Sequence, residues 1–383
     1  MMKTPLKDIR VLDFSTLLPG PMATLFLAEA GAEVIKVERP GRGEEMRSYD
    51  PKWGKDSANF AMLNRGKKSL ALDLKDPVQR ARLTPLLKDV DIVVEQFRPG
   101  VMARLGLGYE DIAAINPKII YCSITGYGQA GPKAARAGHD LNYIGDSGLL
   151  ALSCGKPQAP VVPPALIADI AGGTYPAVFN ILLALRDRDH NGNGAHLDIS
   201  MSDNLFPFMY WALAEGQATG QWPGNGDSLV TGGSPRYQLY PTSDGRFVAA
   251  APLEQKFWQA FTDAIGLDAE LRDDTQNPTA TTQAVATCIA GESADHWQAV
   301  FARADCCCTI VRTLQEALQD PHFQSRGLLE QEVENNLGAR QIALPVPVAR
   351  QFRAAPHAAS APTLGADNDL APEGNTLTGQ DTE

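Results

Sequence analysis

The first two hundred residues alternate between short apolar runs and longer stretches with helical spacing. Runs rich in Val, Ile and Leu predict buried strands at Ile9–Ser15, Glu33–Glu38, Ser69–Leu74, Ile92–Glu95, Ile119–Ile124 and His196–Ser200. Helices are predicted near Met22–Ala30, Val78–Leu87 and Leu166–Arg186. Because parallel strands joined by helices form right-handed crossovers, this alternation predicts a Rossmann-like, doubly wound α/β domain.

The remainder of the chain predicts a second, smaller α+β domain. Tyr237–Tyr240 and Phe247–Ala251 have the composition of strands, and Asp244-Gly245 between them favours a hairpin turn. Residues 353–383 hold one basic and five acidic side chains with little periodicity, which predicts an extended or partly disordered tail. The predicted order is a large domain (1–200), a linker region (201–234), a small α+β domain (235–325) and a C-terminal segment (326–383).

Composition places the chain among soluble proteins. Its 383 residues are 44% hydrophobic, and no run approaches the ~18 continuous apolar residues that span a bilayer. The N-terminus lacks a signal-peptide pattern and the C-terminal QDTE is not a peroxisomal address, so a cytoplasmic protein without membrane contact is expected. The six cysteines form no C-x-x-C pair, which favours reduced thiols and no metal site.

Charge is unevenly distributed along the chain. The net charge of −11 argues against nucleic-acid binding. Residues 1–110 nevertheless hold 18 basic against 15 acidic side chains, while the remaining residues hold 16 against 30. The basic first third is therefore the part of the chain that would attract a small polyanion.

The turn after the first predicted strand argues against a dinucleotide. Its sequence, LLPGPM (17–22), lacks G-x-G-x-x-G, and prolines remove the amide donors that would hold a pyrophosphate. Arg39, directly after the second strand, suits a phosphate better than a ribose. Further basic residues follow later strands, at Arg65, Lys67, Lys68, Lys75, Arg98 and Arg104. Each alone is typical of a solvated surface, but together they predict a crevice for a ligand with several phosphates.

Several strings resemble the class III CoA-transferase superfamily, which includes formyl-CoA transferase-like enzymes and α-methylacyl-CoA racemases. They are VLDFSTLLPGPMATLFLAEAGAEVIKVERP (11–40), FRPGVMARLGLG with TGYGQAGP (125–132), and IADIAGG (167–173). The resemblance extends to about residue 325. It implies that CoA lies on the large domain, with contacts at Arg39, Leu72, Asp73, Leu74, Lys75, Gln96, Phe97, Arg98 and Arg104. Residues of the 125–132 and 137–143 motifs are candidate substrate contacts: Gly126, Tyr127, Gly128, Gly138, Asp140, Leu141, Asn142 and Tyr143.

Within the superfamily, AGHDLNY (137–143) resembles the racemase motif G-H-D-x-N-Y. The resemblance implies that His139 and Asp169 are catalytic, with Glu254 of the partner subunit beside the histidine. It also implies an interlocked homodimer, in which each small domain covers the other chain's active site and the C-terminal segment returns to the large domain. The expected activity is the racemisation of 2-methylacyl-CoA thioesters in fatty acid metabolism, with CoA as part of the substrate and no separate cofactor.

Racemisation requires two proton-transfer groups on opposite faces of one carbon. Since the ordinary pKa values of His (~6.5) and Asp (~3.9) differ, the pKa of Asp169 would have to be raised by burial and nearby charge. The enolate oxygen would need amide donors, for which Gly126, Gly128 and the Gly138–Asp140 backbone are candidates.

Other interpretations stay open at this level. His139 could be a hydrogen-bonded loop residue, Asp169 could cap the helix that follows it, and Glu254 could be a first-turn helix acid. A CoA-transferase that forms an anhydride on Asp169 is the main alternative function, and a non-catalytic acyl-CoA binding protein is another. The acyl group, whether bile-acid-like, branched fatty or arylpropionyl, is not determined by the sequence.

Overall fold

The computed structural model describes residues 4–152, 155–156, 159–353 and 358–372. The chain divides into two compact units, the first made of residues 1–144, 166–205 and 324–383, and the second of residues 145–165 and 206–323. The segment 145–165, expected in the large domain, therefore belongs to the second unit. The expected linker contains a regular helix over residues 210–219, which ends at Gly220, whose φ of +74° is accessible to glycine.

The first unit is built on a six-stranded parallel sheet. Its strands are β1 (Arg10–Asp13), β2 (Glu33–Glu38), β3 (Lys68–Ala71), β4 (Ile92–Glu95), β5 (Ile120–Thr125) and β6 (Ala195–Ser200). They lie in the order β3-β2-β1-β4-β5-β6, which is the Rossmann order. The carboxyl ends of β1 and β4 are neighbours in this order, at the point where the strand order reverses. Ligands of such sheets bind at this point.

Helices connect these strands and cover the sheet. The α-helices of the first unit are α1 (Pro19–Glu29), α2 (Ala58–Asn64), α3 (Pro77–Ala81), α4 (Thr84–Leu87), α5 (Val101–Arg104), α6 (Tyr109–Ile115), α7 (Asp140–Asp146) and α8 (Tyr175–Asn191). A π-helix, Ala168–Thr174, leads directly into α8. Leu12 and Val93 of the sheet are fully buried in one core with Leu86 and Ile112.

The helix predicted over 78–87 is two short helices. The second, α4, has Pro85 in its first turn, where proline is favoured because the amide it lacks has no helical partner. The helix predicted near Leu166–Arg186 ends later than expected. Helix α8 continues to Asn191 and ends at Gly192, whose φ of +78° is accessible to glycine.

The second unit has its own sheet and core. Its antiparallel sheet contains β7 (Gln238–Pro241), β8 (Phe247–Ala250) and β9 (Cys308–Ile310), and the predicted hairpin joins β7 to β8. Trp258, Phe261, Trp297 and Phe301 lie in its core. Its helices are α9 (Tyr210–Thr219), α10 (Gln255–Ala264), α11 (Pro278–Ala290), α12 (Ala294–Ala304) and α13 (Leu314–Leu318), and α14 (Pro321–Ser325) follows at the boundary between the units.

Shorter elements complete the description. Two-residue strands pair at Lys52–Trp53 with Asp56–Ser57 and at Gly155–Lys156 with Ala159–Pro160. Short 3₁₀-helices lie at Glu45–Ser48, Leu149–Leu152, Asp203–Met209, Ala269–Leu271, Arg350–Phe352 and Asn368–Leu370.

The tail over 353–383 was predicted to be extended or partly disordered, and its described part contains one extended segment, Ala358–Ser360. Strands β10 (Glu332–Glu334), β11 (Arg340–Ile342) and β12 (Ala358–Ser360) form a small sheet. Asp367 and Asn368 then bind the free edge of β3, where their carboxylate and amide oxygens accept the N–H groups of Ser69 (2.8 Å) and Ala71 (2.7 Å). Hydrogen bonds made by polar side chains produce no periodic pattern of apolar residues, so the sequence analysis could not predict this contact. Residues 354–357 and 373–383 of the predicted tail lie outside the described residues.

One helical segment has the length and composition needed to cross a membrane. The π-helix and α8 together span Ala168–Asn191, with a mean hydropathy of 1.3 in the most apolar window, of which 39% is buried. Core helices of soluble proteins meet the same criterion. Its first turns pack inside the first unit, where Thr174 Oγ1 donates to the carbonyl of Pro19 at 2.9 Å. Absence of membrane contact and cytoplasmic location stay predictions.

Candidate active site

A cavity of about 440 Å³ opens in the first unit at the carboxyl ends of the strands. Both predicted proton-transfer residues, His139 and Asp169, line it. Other predicted residues in its wall are Gln96, Phe97, Arg98, Gly126, Gly138, Asn142 and Tyr143. We call this space the catalytic cavity.

His139 is the residue immediately before helix α7, and its backbone is fixed by that helix. Its N–H donates to Asn142 Oδ1 at 3.0 Å, and its carbonyl accepts the N–H of Asn142 at 2.8 Å. The imidazole itself is exposed in the cavity wall. Asn142, predicted as a substrate contact, therefore holds the histidine backbone through reciprocal capping bonds.

Asp169 lies in the first turn of the π-helix, and Asp140 supplies the capping carboxylate. Asp140 Oδ1 accepts the N–H of Asp169 at 2.9 Å, and Asp140 is only 4% exposed. The alternative in which Asp169 caps its own helix is thus wrong, because Asp140 reaches those amides from α7. A π-helical turn at the start of a long helix is a frequent feature of functional sites.

Burial and a second acid raise the pKa of Asp169. Removal of its carboxyl from water, together with the negative charge of Asp140, raises this pKa to about 7. Burial also raises the pKa of Asp140, although backbone N–H groups of Asp169 and its neighbours oppose that shift. A carboxyl with a pKa near neutrality can both accept and donate a proton at physiological pH.

Replacing Asp140 by Asn should lower the pKa of Asp169. The amide oxygen of Asn can still accept the Asp169 N–H, but the charge that disfavours ionisation is removed. Carbon-13 NMR titration of the Asp169 carboxyl would measure the shift, with Asp189→Asn on α8 as a surface control. An unchanged or higher pKa would show that Asp140 does not act on Asp169 through its charge.

The glycines of the cavity wall make room for Tyr143. A Cβ on Gly126 would lie 2.3 Å from Tyr143 Cε1, and a Cβ on Gly138 would lie 2.6 Å from the same atom. Gly172 likewise has no room for a side chain, since its Cβ would lie 2.3 Å from the carbonyl oxygen of Met201. These glycines permit close packing of the protein on itself, which is a structural reason for glycine at these positions. The donor for an enolate oxygen stays a prediction.

A second cavity, of about 550 Å³, lies beside the catalytic cavity in the same unit. Predicted CoA contacts in its wall are Arg39, Leu72, Asp73, Leu74, Lys75, Phe97 and Arg104. Thr16 and Phe97 line both cavities. We call this space the nucleotide cavity, since its basic side chains could bind phosphates.

Three basic residues expected at the phosphate crevice are used elsewhere. Arg65 pairs with Glu29 at 2.8 Å, Lys67 pairs with the buried Asp13 at 3.1 Å, and Lys68 pairs with Glu33. Their partners are distant in sequence, so the charge pattern alone could not separate them from Lys75. The nucleotide cavity consequently has fewer basic side chains than the sequence predicts for the phosphate crevice.

The remaining predicted residues lie outside the two cavity walls. Among the described residues, Tyr127 packs edge-on against Tyr143, Gly128 has a φ of +81°, and Leu141 is exposed. Glu254 belongs to the second unit and precedes helix α10, where its carbonyl accepts the N–H of Trp258 at 2.9 Å. Gln96 also has a structural contact, since Oε1 accepts the N–H of Gly20 at 3.0 Å.

Sequence reasoning missed several residues of the catalytic cavity wall. Thr16 and Leu17 follow β1, and Arg136 precedes the histidine motif. The position of Thr16 and Leu17 could have identified them. They follow β1 at the point where the strand order reverses, and residues at such a point are expected to contact a ligand. Met201 also lines the cavity, although it is buried and only 4% exposed. No metal-binding group of three His, Cys, Asp or Glu residues is present in the part of the chain that the structure describes.

Comparison with known proteins gives one consistent result. The family model described as CoA-transferase family III matches residues 6–368. The human alpha-methylacyl-CoA racemase is 33% identical over 367 residues, covering 94% of this chain and 90% of the relative. The Acetobacter aceti acetyl-CoA:oxalate CoA-transferase is 34% identical over 337 residues, covering 85% and 86%. The crystal structure of a CAIB/BAIF family protein from Brucella suis is 28% identical, with a TM-score of 0.81 over 96% of this chain and 98% of that one.

Proposed function

The chain belongs to CoA-transferase family III, and on that premise we propose that it is a racemase of 2-methylacyl-CoA thioesters. The observation that carries the proposal is the presence of His139 and Asp169 in the wall of one cavity. A transferase that forms an anhydride needs a carboxylate nucleophile, whereas a racemase needs two groups that exchange protons. The raised pKa of Asp169, about 7, supports the second use.

The proposed reaction moves one proton off C2 of the acyl group and returns one to the opposite face. For one enantiomer, ionised Asp169 takes the proton as the C2–H bond breaks, and the electron pair forms the enolate of the thioester. Protonated His139 then donates its proton to the other face of C2. The opposite enantiomer reverses the two roles. The substrate is neither oxidised nor reduced, so the proposal requires no redox cofactor.

The two cavities fit the two ends of such a substrate. Arg39, Lys75 and Arg104 of the nucleotide cavity would bind the phosphates of CoA. The acyl thioester would occupy the catalytic cavity, so that the connecting arm passes Thr16 and Phe97, which line both spaces. The acyl group could be branched fatty, bile-acid-like or arylpropionyl.

Proton exchange in deuterated water tests the proposed reaction. A racemase should incorporate deuterium at C2 of a 2-methylacyl-CoA ester and interconvert its enantiomers with no carboxylic acid acceptor present. Relatives at similar identity include CoA-transferases, so transfer of CoA to an added acid is measured in parallel. Acid-dependent transfer with an anhydride on Asp169, and no C2 exchange, would replace the racemase by a transferase. Binding with neither reaction would indicate an acyl-CoA binding protein.

Arg39→Ala should weaken acyl-CoA binding about tenfold, the effect of one lost charged hydrogen bond. The loss should be small for an acyl-pantetheine, which lacks the phosphates that Arg39 would bind. Calorimetric titration of both ligands measures the difference, and rising salt should reduce acyl-CoA affinity in the wild type. Arg42→Ala is the matched control, because Arg42 is exposed and does not line the nucleotide cavity. Equal losses for both ligands would remove Arg39 from the phosphate site.

We further propose that the protein is a homodimer in which Glu254 completes the site of the partner subunit. Mixing Glu254→Ala and Asp169→Asn chains during refolding should then restore part of the activity, since one site of each mixed dimer carries neither defect. The test requires that each single variant be strongly impaired. A fully active Glu254→Ala enzyme, or mixing that restores nothing, would contradict the shared site.

A further inference from the structure

Three consecutive cysteines, Cys306, Cys307 and Cys308, lie at the junction of α12 and β9 in the second unit. All three are free thiols, and neither the catalytic cavity nor the nucleotide cavity includes them. The chain is left-handed at two positions here, with a φ of +43° at Asp305 and of +53° at Cys307. Residues other than glycine rarely adopt this conformation, which persists where the surrounding structure holds it in place. The segment therefore has a defined shape that the acyl-CoA chemistry does not require.

The left-handed turn at Cys307 brings the side chains of Cys306 and Cys308 together. A fully extended chain separates the Cα atoms of residues i and i+2 by ~7 Å, and a turn shortens this separation to the ~4.4–6.8 Å that a disulfide requires. Cys308 Sγ donates to the carbonyl of Cys306 at 3.3 Å, and the two thiols are also hydrogen-bonded to each other. The two sulfur atoms are thus neighbours before any reaction takes place.

Contacts with the rest of the second unit hold the two thiols in this arrangement. Cys308 pairs with Ala250 of β8, and the carbonyl of Cys307 accepts the N–H of Ala251 at 3.0 Å. Cys306 is 1% exposed and packs in the core of the second unit. The thiols of Cys306 and Cys308 can therefore react with each other with little movement of the backbone.

The local environment favours reaction at this pair over reaction at Cys307. The hydrogen bond from the Cys308 thiol lowers the pKa of Cys306. Partial shielding from water and the negative charge of Glu254 raise the pKa of Cys307, although this residue is exposed. Because the thiolate is the nucleophilic form of cysteine, Cys307 is the less reactive partner despite its exposure.

We propose that Cys306 and Cys308 form a reversible oxidation site, at which a hydroperoxide converts their two thiols into a disulfide while Cys307 stays a thiol. Hydrogen peroxide is small enough to reach the pair through Cys308, which is partly exposed. The site is independent of the acyl-CoA reaction, and it would be present equally in a racemase, a transferase or a binding protein.

The oxidation takes place in two steps. One thiolate of the pair attacks an oxygen of the peroxide, the O–O bond breaks, and a sulfenic acid and hydroxide are formed. The other thiol then attacks the sulfenic sulfur, the S–S bond forms, and the S–O bond breaks to release water. In total the two thiols lose two electrons and two protons, and one hydrogen peroxide is reduced to two water molecules.

The small size of the ring makes this disulfide reversible. A disulfide between residues i and i+2 closes a strained ring, and strained disulfides are readily reduced by small thiols. Disulfides of this labile kind occur as redox sensors in reducing compartments. We therefore expect dithiothreitol to restore both thiols completely.

Differential alkylation of the wild-type protein tests the proposal. The folded protein is treated with hydrogen peroxide, its remaining thiols are blocked with N-ethylmaleimide, and the disulfides are then reduced and labelled with iodoacetamide. Trypsin cleaves after Arg303 and Arg312, so one peptide, residues 304–312, carries all three cysteines. Cys306 and Cys308 should carry the second label and Cys307 the first, with a loss of two thiols in this peptide. A disulfide that includes Cys307, or oxidation of Cys307 alone, would overturn the proposal.

Single variants identify the two partners. Cys307→Ser should still form the disulfide, whereas Cys308→Ser should lose it and leave no second label on Cys306. Cys308 is chosen because it is less buried than Cys306, so its replacement disturbs the core less. Cys288→Ser is the matched control, since Cys288 is a free, partly buried thiol on α11 of the same unit. Loss of the disulfide in Cys307→Ser, or its persistence in Cys308→Ser, would contradict the assignment.

The same oxidation in concentrated urea separates the effect of the fold from that of the sequence. The unfolded chain keeps the three consecutive cysteines but loses the left-handed turn and the hydrogen bond between Cys306 and Cys308. The preference for this pair should therefore disappear, and Cys307 should be oxidised as readily as its neighbours. An equal preference in the folded and unfolded chains would show that the structure does not build the site.

Discussion

Asp169→Asn is expected to reduce C2 proton exchange by about two decades or more, the usual contribution of a general acid–base group. The amide cannot take or return a proton at neutral pH, yet it keeps the size of the carboxyl. Exchange of both enantiomers should fall, because Asp169 acts as base for one and as acid for the other. Proton NMR of the substrate in deuterated water follows both rates, with Asp189→Asn on the exposed part of α8 as control. Exchange at the wild-type rate would exclude Asp169 from proton transfer.

Stability measurements separate this loss from misfolding. The pKa of Asp169 is about 7 in the folded protein and about 3.9 in an unfolded chain, so the folded state disfavours its ionised form. The resulting destabilisation is absent below about pH 4, grows as the pH rises, and is complete above about pH 7. Asp169→Asn should therefore be at least as stable as the wild type at alkaline pH, and a lower melting temperature there would point to a structural defect.

His139→Ala is expected to reduce racemisation by about two decades or more. The proton exchange that remains should identify Asp169 as the remaining base. Ionised Asp169 can still remove the proton of one enantiomer, and the same group can return deuterium to the same face. That enantiomer should exchange slowly with retention, whereas exchange of the other should fall further. His190→Ala is the control, because His190 is exposed on α8 and its ring nitrogen contacts the carbonyl of Arg186 at 2.7 Å. Equal and undiminished exchange of both enantiomers would contradict the two-base assignment.

The strands were the most predictable part of the fold. Glu33–Glu38 and Ile92–Glu95 are strands with the bounds that the sequence predicts. Residues Ile92, Val93 and Val94 are all fully buried, as expected for a parallel sheet covered on both faces. A short run of apolar residues is therefore enough to predict a buried strand of this kind.

The supporting contacts of the site were not predictable in the same way. Asp140 and Asp169 were identified by their motifs, but the bond between them joins elements 29 residues apart. The sequence predicts Lys67 as a residue that binds phosphate, but its side chain contacts Asp13, which lies 54 residues away in the sequence. Both contacts depend on how strands and helices are placed in space, which periodicity does not encode.

The bond between the C-terminal segment and β3 has a consequence for synthesis of the chain. β3 is the edge strand of the six-stranded sheet, and Asp367 and Asn368 occupy its free amides. Unprotected edge strands readily pair with other chains, which leads to aggregation. Ser69 of β3 and Asp367, which covers its amide, are 298 residues apart in the sequence. The ribosome therefore completes β3 long before it synthesises the segment that covers the edge of this strand. During translation, the nascent protein therefore carries an open sheet edge, and cellular yield should depend on chaperones that shield this edge until the last segment emerges.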